Sequence, residues 1–428
     1  MANPIAVAMR GKGFLPMVHR GRALLGRYGA TEDKLIGKLK CMADTTLAFG
    51  HQATLPMTAS LLARHLKLAR VIRAQGMELA IHGLKHIDYT QLPLETQMSE
   101  FQQAMNIFSI AGLSATGFRS PYLRWNGDTL SALKACGFAY DSSQALAWDV
   151  ISGKETSSYE RALEFYGAQR AELHMALPRL QDGLVRIPYC LPDDEALLER
   201  LHLQGCQAIV ETWLVLLDCV YEGGELFTLG LHPERASLCQ KALWAVLEKA
   251  HSLSPRVWIA SLEEIARWQR LLAQATFQAR RDGTDGWQIV LQAGAEAFLL
   301  ARKVDILGPA QAWTGQYRQI FNAEVSVRSD MRPWIGLSPD CPASLGDFLR
   351  QQGYLVEIGA DPGAYSYYLC RSAFNPEDER PLLAEIEMGS WPLVRIARWP
   401  SGAKAALAIT GDVDAFTLWD YGRRIFYR

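Results

Sequence analysis

The feature that most restricts how this chain can fold is a rhythm. From about Thr31 to Leu272, short apolar runs alternate with longer amphipathic stretches, which is the pattern of repeated β-α units. ATLPMTA (53–59), MELAIH (77–82), TGFRSP (116–121), FAYDSS (138–143), LVRIPY (184–189), LFTLGLH (226–232) and RVWIASL (256–262) read as strands with their ends. Between them, stretches such as SLLARHLKLARVIRAQ, LETQMSEFQQAMNIFSIA, DTLSALKACG, QAIVETWLVLLDCVY and SLCQKALWAVLEKAHS read as helices. A barrel or an open α/β sheet follows, and in such folds the loops at the strand C-termini build the site. Polar residues at those ends are therefore the candidates for chemistry.

The rest of the chain has a different texture. QARRDGTDG (278–286) and ARWPSGAK (397–404) are turn-rich and read as linkers. Between them, WQIVLQA, AFLLAR, YLVEI and YSYYLC look like strands and SLGDFLRQQG and ERPLLAEIE like helices, a small α+β region with no obvious chemistry. RPWIGLSPDCP (332–342) has the look of a strand and a tight turn. After the second linker comes AKAALAITGDVDA (403–415), an apolar strand that ends in acidic residues.

With 428 residues, 49% of them hydrophobic, the chain has length for two domains. A formal net charge of -1 gives no electrostatic case for nucleic acid or an anionic membrane surface, which demand clustered Lys and Arg. The eight cysteines are scattered, with no CxxC pair, and read as reduced thiols. No apolar segment approaches a membrane span, and the N-terminal stretch lacks the apolar core of a signal peptide, so a cytoplasmic location is the expectation.

Four constellations fall at strand ends. His82 and His86, in HGLKH, can reach one metal ion if the chain turns just after its strand; a bare HxxxH is equally two unrelated loop histidines. The helical zinc-protease motif is disfavoured, because Gly83 stands where its Glu would be. Asp412 and Asp414, in TGDVDA, can supply a third ligand and a general base for water; such pairs also occur as helix caps or Asx-turns. Arg119, in RSPY, can hold a carboxylate ionised, and the backbone at Tyr122 can donate to an oxyanion; a surface turn is the plain alternative. His232, in LHPER, can act as general acid for a leaving amine, although a lone strand-end histidine is usually structural.

The order of these motifs, from Ala53 to Trp268, resembles the polysaccharide deacetylase family (NodB-homology domain, carbohydrate esterase family 4). MELAIHGLKHIDYTQL resembles its histidine motif, GFRSPYLRWN its Arg-x-Pro motif, YDSS its next strand end, LGLHPE its late histidine motif and RVWIASLEEIARW its closing strand and helix. That family begins with an Asp-containing motif on its first strand, yet Met1 to Thr31 contains no Asp or Glu. AALAITGDVDAFTLWDY, far along the chain, closely resembles the missing motif. The ends of a closed barrel lie beside each other, so cutting the ring after its first strand preserves its contacts.

The resemblance therefore implies an α/β fold: a distorted TIM-like (β/α)7 barrel, circularly permuted, with an inserted small α+β domain. The expected boundaries are 1–278 for the main part of the barrel, 279–400 for the insertion and 401–428 for the first strand with its Asp-x-Asp motif. GRALLGRYGATEDKLIGKLKCMADTTLAF (21–49) would supply the helical layer after that strand. A divalent metal, expected to be Zn2+, would be bound by Asp414, His82 and His86, with Asp412 as base, Arg119 orienting it, Tyr122 donating to the oxyanion and His232 as acid. A carboxylate tunes the late histidine in the family, and Asp193, Asp194 and Asp141 are candidates, each equally able to cap a helix.

The expected activity is that of a hydrolase acting on carbon-nitrogen bonds other than peptide, removing the N-acetyl group of an amino sugar or polysaccharide precursor. Its partner is then a carbohydrate substrate rather than nucleic acid or membrane, and a homo-oligomer is compatible with the sequence. Two other readings stay open: an allantoinase-like hydrolase of a small molecule, and a catalytically silent carbohydrate-binding barrel. Trp125 and Trp148 can stack on sugar rings, or simply pack.

Overall fold

The computed structural model of the protein describes residues 28–426 apart from positions 152, 154 and 295. The carboxylate-free N-terminal stretch and the start of the segment 21–49 lie mostly outside the described residues; the remainder of that segment contains the helix Asp33–Ala48.

All seven strands read from the β-α rhythm are present, in one large mixed sheet. Its central part runs Leu226–Gly230, Ala405–Thr410, Thr54–Met57, Glu78–Ile81, Gly117–Phe118, Tyr140–Asp141 and Leu184–Arg186, with every neighbouring pair parallel. The strand Ala405–Thr410 sits deep inside. One edge pairs with Leu226–Gly230 along its length; the other is shared between Val257–Ile259 and the start of Thr54–Met57. AALAIT is buried at all six positions, which is why it reads as a continuous apolar run: a parallel strand covered on both faces has no polar side to show.

The expected closed seven-stranded ring needs correction. The hydrogen-bonded path is open, ending at Arg179–Gln181, which pairs antiparallel with Leu184–Arg186, and at Gln169–Arg170 on the other side. The extended run 184–191 belongs to both ends: Leu184–Arg186 pairs with Tyr140–Asp141, whereas Tyr189–Leu191 pairs with Leu226–Gly230 and Ala145–Ala147. Pro188, with no N–H to give to a ladder, lies between the two halves. The sheet thus curls until one segment of backbone, rather than a ladder of hydrogen bonds, spans its gap.

Helices cover the outer face. Leu94–Ile110, Cys206–Gly223 and Ala236–Ser252 bury Phe101, Phe108, Trp213, Leu217 and Leu247 against Leu55, Leu79 and Phe227 of the strands. Asn126 caps Gly127–Cys136 and Ser261 caps Leu262–Ala273, each in a reciprocal capping box.

After Leu262–Ala273 the chain leaves this sheet and returns to it at Ala405. The intervening residues form two four-stranded sheets and one three-stranded sheet, with the helices Ala343–Gln351 and Glu379–Met388. The stretch 278–286, expected to be a linker, is instead part of a hairpin: Thr276–Asp282 pairs antiparallel with Gly286–Gln292, and Gly283 takes the left-handed turn conformation (φ 72°). This region packs firmly on the main sheet. Leu300, Ile335 and Leu349 share one core with Leu226, Ala406 and Ala408, and Arg380 pairs at 2.8 Å with the fully buried Glu225. The Trp399 indole N–H donates to the Gly224 carbonyl at 2.9 Å, so the second expected linker is anchored as well.

A partly buried latch ties three elements together at the C-terminal helix Leu418–Phe426. The His65 ring lies between Glu32 and Asp420, with Nε2 2.9 Å from Asp420 Oδ2, and Arg64 Nε donates to Asp420 Oδ1 at 3.0 Å. His65 is also where the expected helix 60–75 breaks into Ala59–Arg64 and Leu66–Ala74. Burial alone would lower the His65 pKa, but the Asp420 and Glu32 carboxylates raise it; burial would raise that of Asp420, but His65, Thr417 and Arg64 hold it below the usual carboxylate range. The raised imidazole stabilises the fold below its unfolded pKa of about 6.5 and loses this effect as pH rises through its folded value. The lowered carboxylate stabilises it above about 3.9 and loses this as pH falls. His65→Gln should therefore cost about 1.5–3 kcal/mol at pH 5, and the melting-temperature deficit against wild type should shrink at pH 9. An equal deficit at both values would contradict a charged latch.

Candidate metal centre with its base and acid

Two glycines make the centre possible. His82 ends the strand Glu78–Ile81, and Gly83 then turns the chain with φ 80°; a Cβ there would lie 2.6 Å from the Tyr89 ring. This turn, not a helix, lets two histidines four apart converge. On the other side, Gly411 follows Ala405–Thr410, where a Cβ would lie 2.5 Å from the Leu231 carbonyl oxygen. The chain stays paired past that point, Val413 opposite Met57, so Asp412 and Asp414 project to the same side, two residues apart on extended backbone.

His82 Nε2 lies 3.5 Å and His86 Nε2 3.4 Å from Asp414 Oδ1. His82 Nδ1 faces the Arg119 carbonyl oxygen at 2.7 Å; since a carbonyl only accepts, Nδ1 carries the proton and Nε2 presents its lone pair to Asp414. One ligand atom from each of the three residues falls within 4.8 Å of the others. Ligands at about 2.0–2.2 Å on a tetrahedron lie roughly 3.3–3.6 Å apart, so the two distances to Asp414 are those that a shared metal ion would require.

Arg119 is fully buried, and every one of its nitrogens is used. NH1 donates to Asp412 Oδ1 at 2.8 Å and Thr410 Oγ1 at 3.0 Å, Nε to the Ser142 carbonyl at 3.1 Å and NH2 to Ser142 Oγ at 2.9 Å. The guanidinium also lies over the Tyr189 ring. Asp412 is thereby held near the metal triangle, its Oδ2 3.8 Å from His82 Nε2. Beside it, the Tyr122 ring meets His86 edge-on, and Tyr122 and Leu123 both adopt left-handed backbone (φ 61° and 56°).

His232 follows the strand Leu226–Gly230, whose end is level with Thr410. Its Nδ1 lies 2.6 Å from Asp194 Oδ1 and its backbone N–H donates to Asp194 Oδ2 at 2.8 Å. Burial would lower the pKa of this imidazole, but the buried Asp194 carboxylate outweighs it and raises the value well above the ordinary one. Of the three carboxylates considered as tuners, Asp194 is the one that touches His232. Asp193 accepts instead from the Tyr189 hydroxyl and the Ala196 N–H, both at 2.8 Å, and burial followed by repulsion from Asp194 pushes its pKa up to about 6. Asp141 pairs with Arg186 and Ser143. Asp193, Asp194 and His232 also lie close enough to suggest an ion site, but their bonds to one another, to Tyr189 and to Ala196 describe an acid pair and a helix-start cap.

The motifs so far unassigned fall into place. Ser142 and Thr410, which position Arg119, carry no signal of their own in YDSS and AALAIT, because nothing about an isolated hydroxyl distinguishes it. Trp125 lies against the Arg186 guanidinium and Trp148 packs on the main core, both partly buried. All eight cysteines are free thiols, and among the described residues no helix is long and apolar enough to cross a membrane.

A strand-end cluster of two histidines and two aspartates, with a buried arginine and a histidine-aspartate pair beside it, has a donor set that could hold a metal ion. The resemblance to the polysaccharide deacetylases is borne out: residues 42–140, which include His82, His86, Arg119 and Tyr122, match the model of that family. A peptidoglycan deacetylase-like protein of Gibberella zeae is 37% identical over 91 residues, which are 21% of this chain and 25% of that protein, so the match spans about a quarter of the relative's length. Among solved structures, an allantoinase is similar at 20% identity with a TM-score of 0.43, over 54% of this chain and 72% of that one. A protein of Mycobacterium smegmatis assigned as a polysaccharide deacetylase gives the same identity and TM-score over 61% and 86%.

Replacing Asp194 by Asn removes the charge that raises His232. The imidazole should then titrate near or below its ordinary value of about 6.5, at least one unit below wild type when followed by NMR. An unchanged titration would mean that another group supports the raised pKa.

Proposed function

We propose that this chain is a metal-dependent deacetylase that hydrolyses the N-acetyl amide of an amino sugar. The observation that carries the reading is the convergence of Asp412 and Asp414, from the strand Ala405–Thr410, on His82, His86 and Arg119 from two other strand ends. Asp414, His82 and His86 would hold the divalent cation, for which two imidazoles and a carboxylate favour Zn2+. When bound, it would lower the pKa of a water molecule and polarise the acetyl carbonyl.

The chain's own groups divide the remaining work. Asp412 takes the proton of the attacking water, and the Arg119 guanidinium at 2.8 Å holds it in place. The Tyr122 backbone N–H donates to the oxyanion as the carbonyl carbon becomes tetrahedral. His232, kept protonated by Asp194, gives its proton to the departing amine. The carbohydrate substrate is supported by the family match and by the name of the fungal relative. The chain reads as a natural circular permutant with residues 279–400 inserted, a reading supported by the interior, parallel position of the strand that carries Asp-x-Asp.

Two substitutions test this. Asp414→Ala should lose its zinc, measured by elemental analysis of purified protein, together with acetate release from N-acetylglucosamine oligomers. Asp412→Asn should keep zinc while turnover falls by about 10²–10⁴-fold. Full metal and activity in Asp414→Ala would sink the assignment.

A further inference from the structure

Two consecutive residues without a glycine between them, Tyr122 and Leu123, hold left-handed backbone (φ 61° and 56°). Such a conformation is strained for a residue with a side chain and persists only where its surroundings over-determine it. The buried ion pair between Asp141 and Arg186 supplies what that requires. Asp141 Oδ2 lies 2.8 Å from Arg186 Nε, with the Asp141 side chain fully buried and the Arg186 side chain 5% exposed. The two are direct partners on adjacent parallel strands, and Asp141 is in turn opposite Phe118, one residue before Arg119.

From this pair two connections reach the loop, one at each end. Ser143 Oγ donates to Asp141 Oδ1, which commits the hydroxyl proton and turns a lone pair outward; the Ser120 N–H donates to that Oγ at 2.8 Å. At the far end the Trp125 ring lies over the Arg186 guanidinium, 4.0 Å from carbon to ring centre. Asp141 therefore grips the chain just before Tyr122, and Arg186 grips it just after Leu123. The neighbouring Ser142 serves Arg119, and through it Asp412. One strand end, Tyr-Asp-Ser-Ser, thus sets both the base and the loop that carries the proposed oxyanion donor.

We infer that Asp141 and Arg186 form a two-ended clamp that positions the Ser120–Trp125 loop, with Ser143 as its link to the Tyr122 backbone; the catalytic value of this clamp rests on the deacetylase reading above. None of these three residues touches the reacting atoms. They are positioning residues, and their effect is expressed through where the Tyr122 N–H points.

The test uses the full chain as Ser143→Ala, Trp125→Ala and Ser143→Thr. Amide hydrogen exchange in a peptide spanning residues 117–126 should speed up in both alanine variants and return to wild type in the threonine variant, which restores the hydroxyl. Zinc content should be unchanged. With N-acetylglucosamine oligomers, kcat should fall about 10- to 100-fold with KM within about twofold, since a small misplacement of a donor acts on the transition state. Unchanged exchange in both alanine variants, or a loss of kcat that Ser143→Thr does not restore, would overturn the clamp. Failure of the wild type to release acetate, with the loop still loosened by Ser143→Ala, would instead overturn the deacetylase reading and leave the clamp standing.

Discussion

The site depends on a buried positive charge. Arg119 is removed from water, and an uncompensated guanidinium there would cost several kcal/mol. Ser142, Thr410 and Asp412 compensate it from three directions, and these residues come from two strand ends in addition to its own. Because Ser142 takes Nε and NH2 while Thr410 and Asp412 share NH1, the relative height of the strands Gly117–Phe118, Tyr140–Asp141 and Ala405–Thr410 is constrained to within a hydrogen bond. The Arg119 carbonyl meanwhile fixes the His82 tautomer. A single residue thus sets the orientation of His82 through its backbone and of Asp412 through its side chain.

Much of this was legible before the structure. The seven apolar runs are strands because buried parallel strands have no polar face to interrupt the pattern. His82, His86, Asp412 and Asp414 were legible because each stands directly at such a run's end. The strands Ala145–Ala147, Gln169–Arg170, Arg179–Gln181 and Tyr189–Leu191 were not, since two or three residues are too few to display a period of two. The hairpin at 276–292 was hidden because Thr276–Asp282 is largely solvent-exposed and therefore as polar as a linker. The break at His65 has no proline or glycine to announce it; its cause is contact with Glu32 and Asp420, one of them remote in sequence. Nor could local pattern separate Asp193 from Asp194. The two stand side by side at the start of a helical turn, and only the fold decides which of them meets His232.

Three carboxylates near the centre meet three different fates. Asp412 faces a guanidinium, Asp194 faces an imidazole, and Asp193, beside Asp194 with only neutral donors, is pushed up to about 6. On the proposed reading the candidate base and the candidate acid sit against separate partners, Asp412 against Arg119 and His232 against Asp194. The region 276–396 takes no part in this cluster, but its core is continuous with residues of the main sheet, among them Ala80, Leu226 and Ala406.

The interior position of Ala405–Thr410 has a consequence for biosynthesis. Arg119 and Asp412 are 293 residues apart, so the histidine and arginine loops leave the ribosome long before either aspartate exists. Until that strand arrives, Leu226–Gly230 and Thr54–Met57 expose facing, unsatisfied backbone edges, a state in which a nascent chain is open to mispairing. The nascent protein therefore has to keep a slot open in its sheet, and the strand that fills the slot also delivers the two carboxylates of the centre.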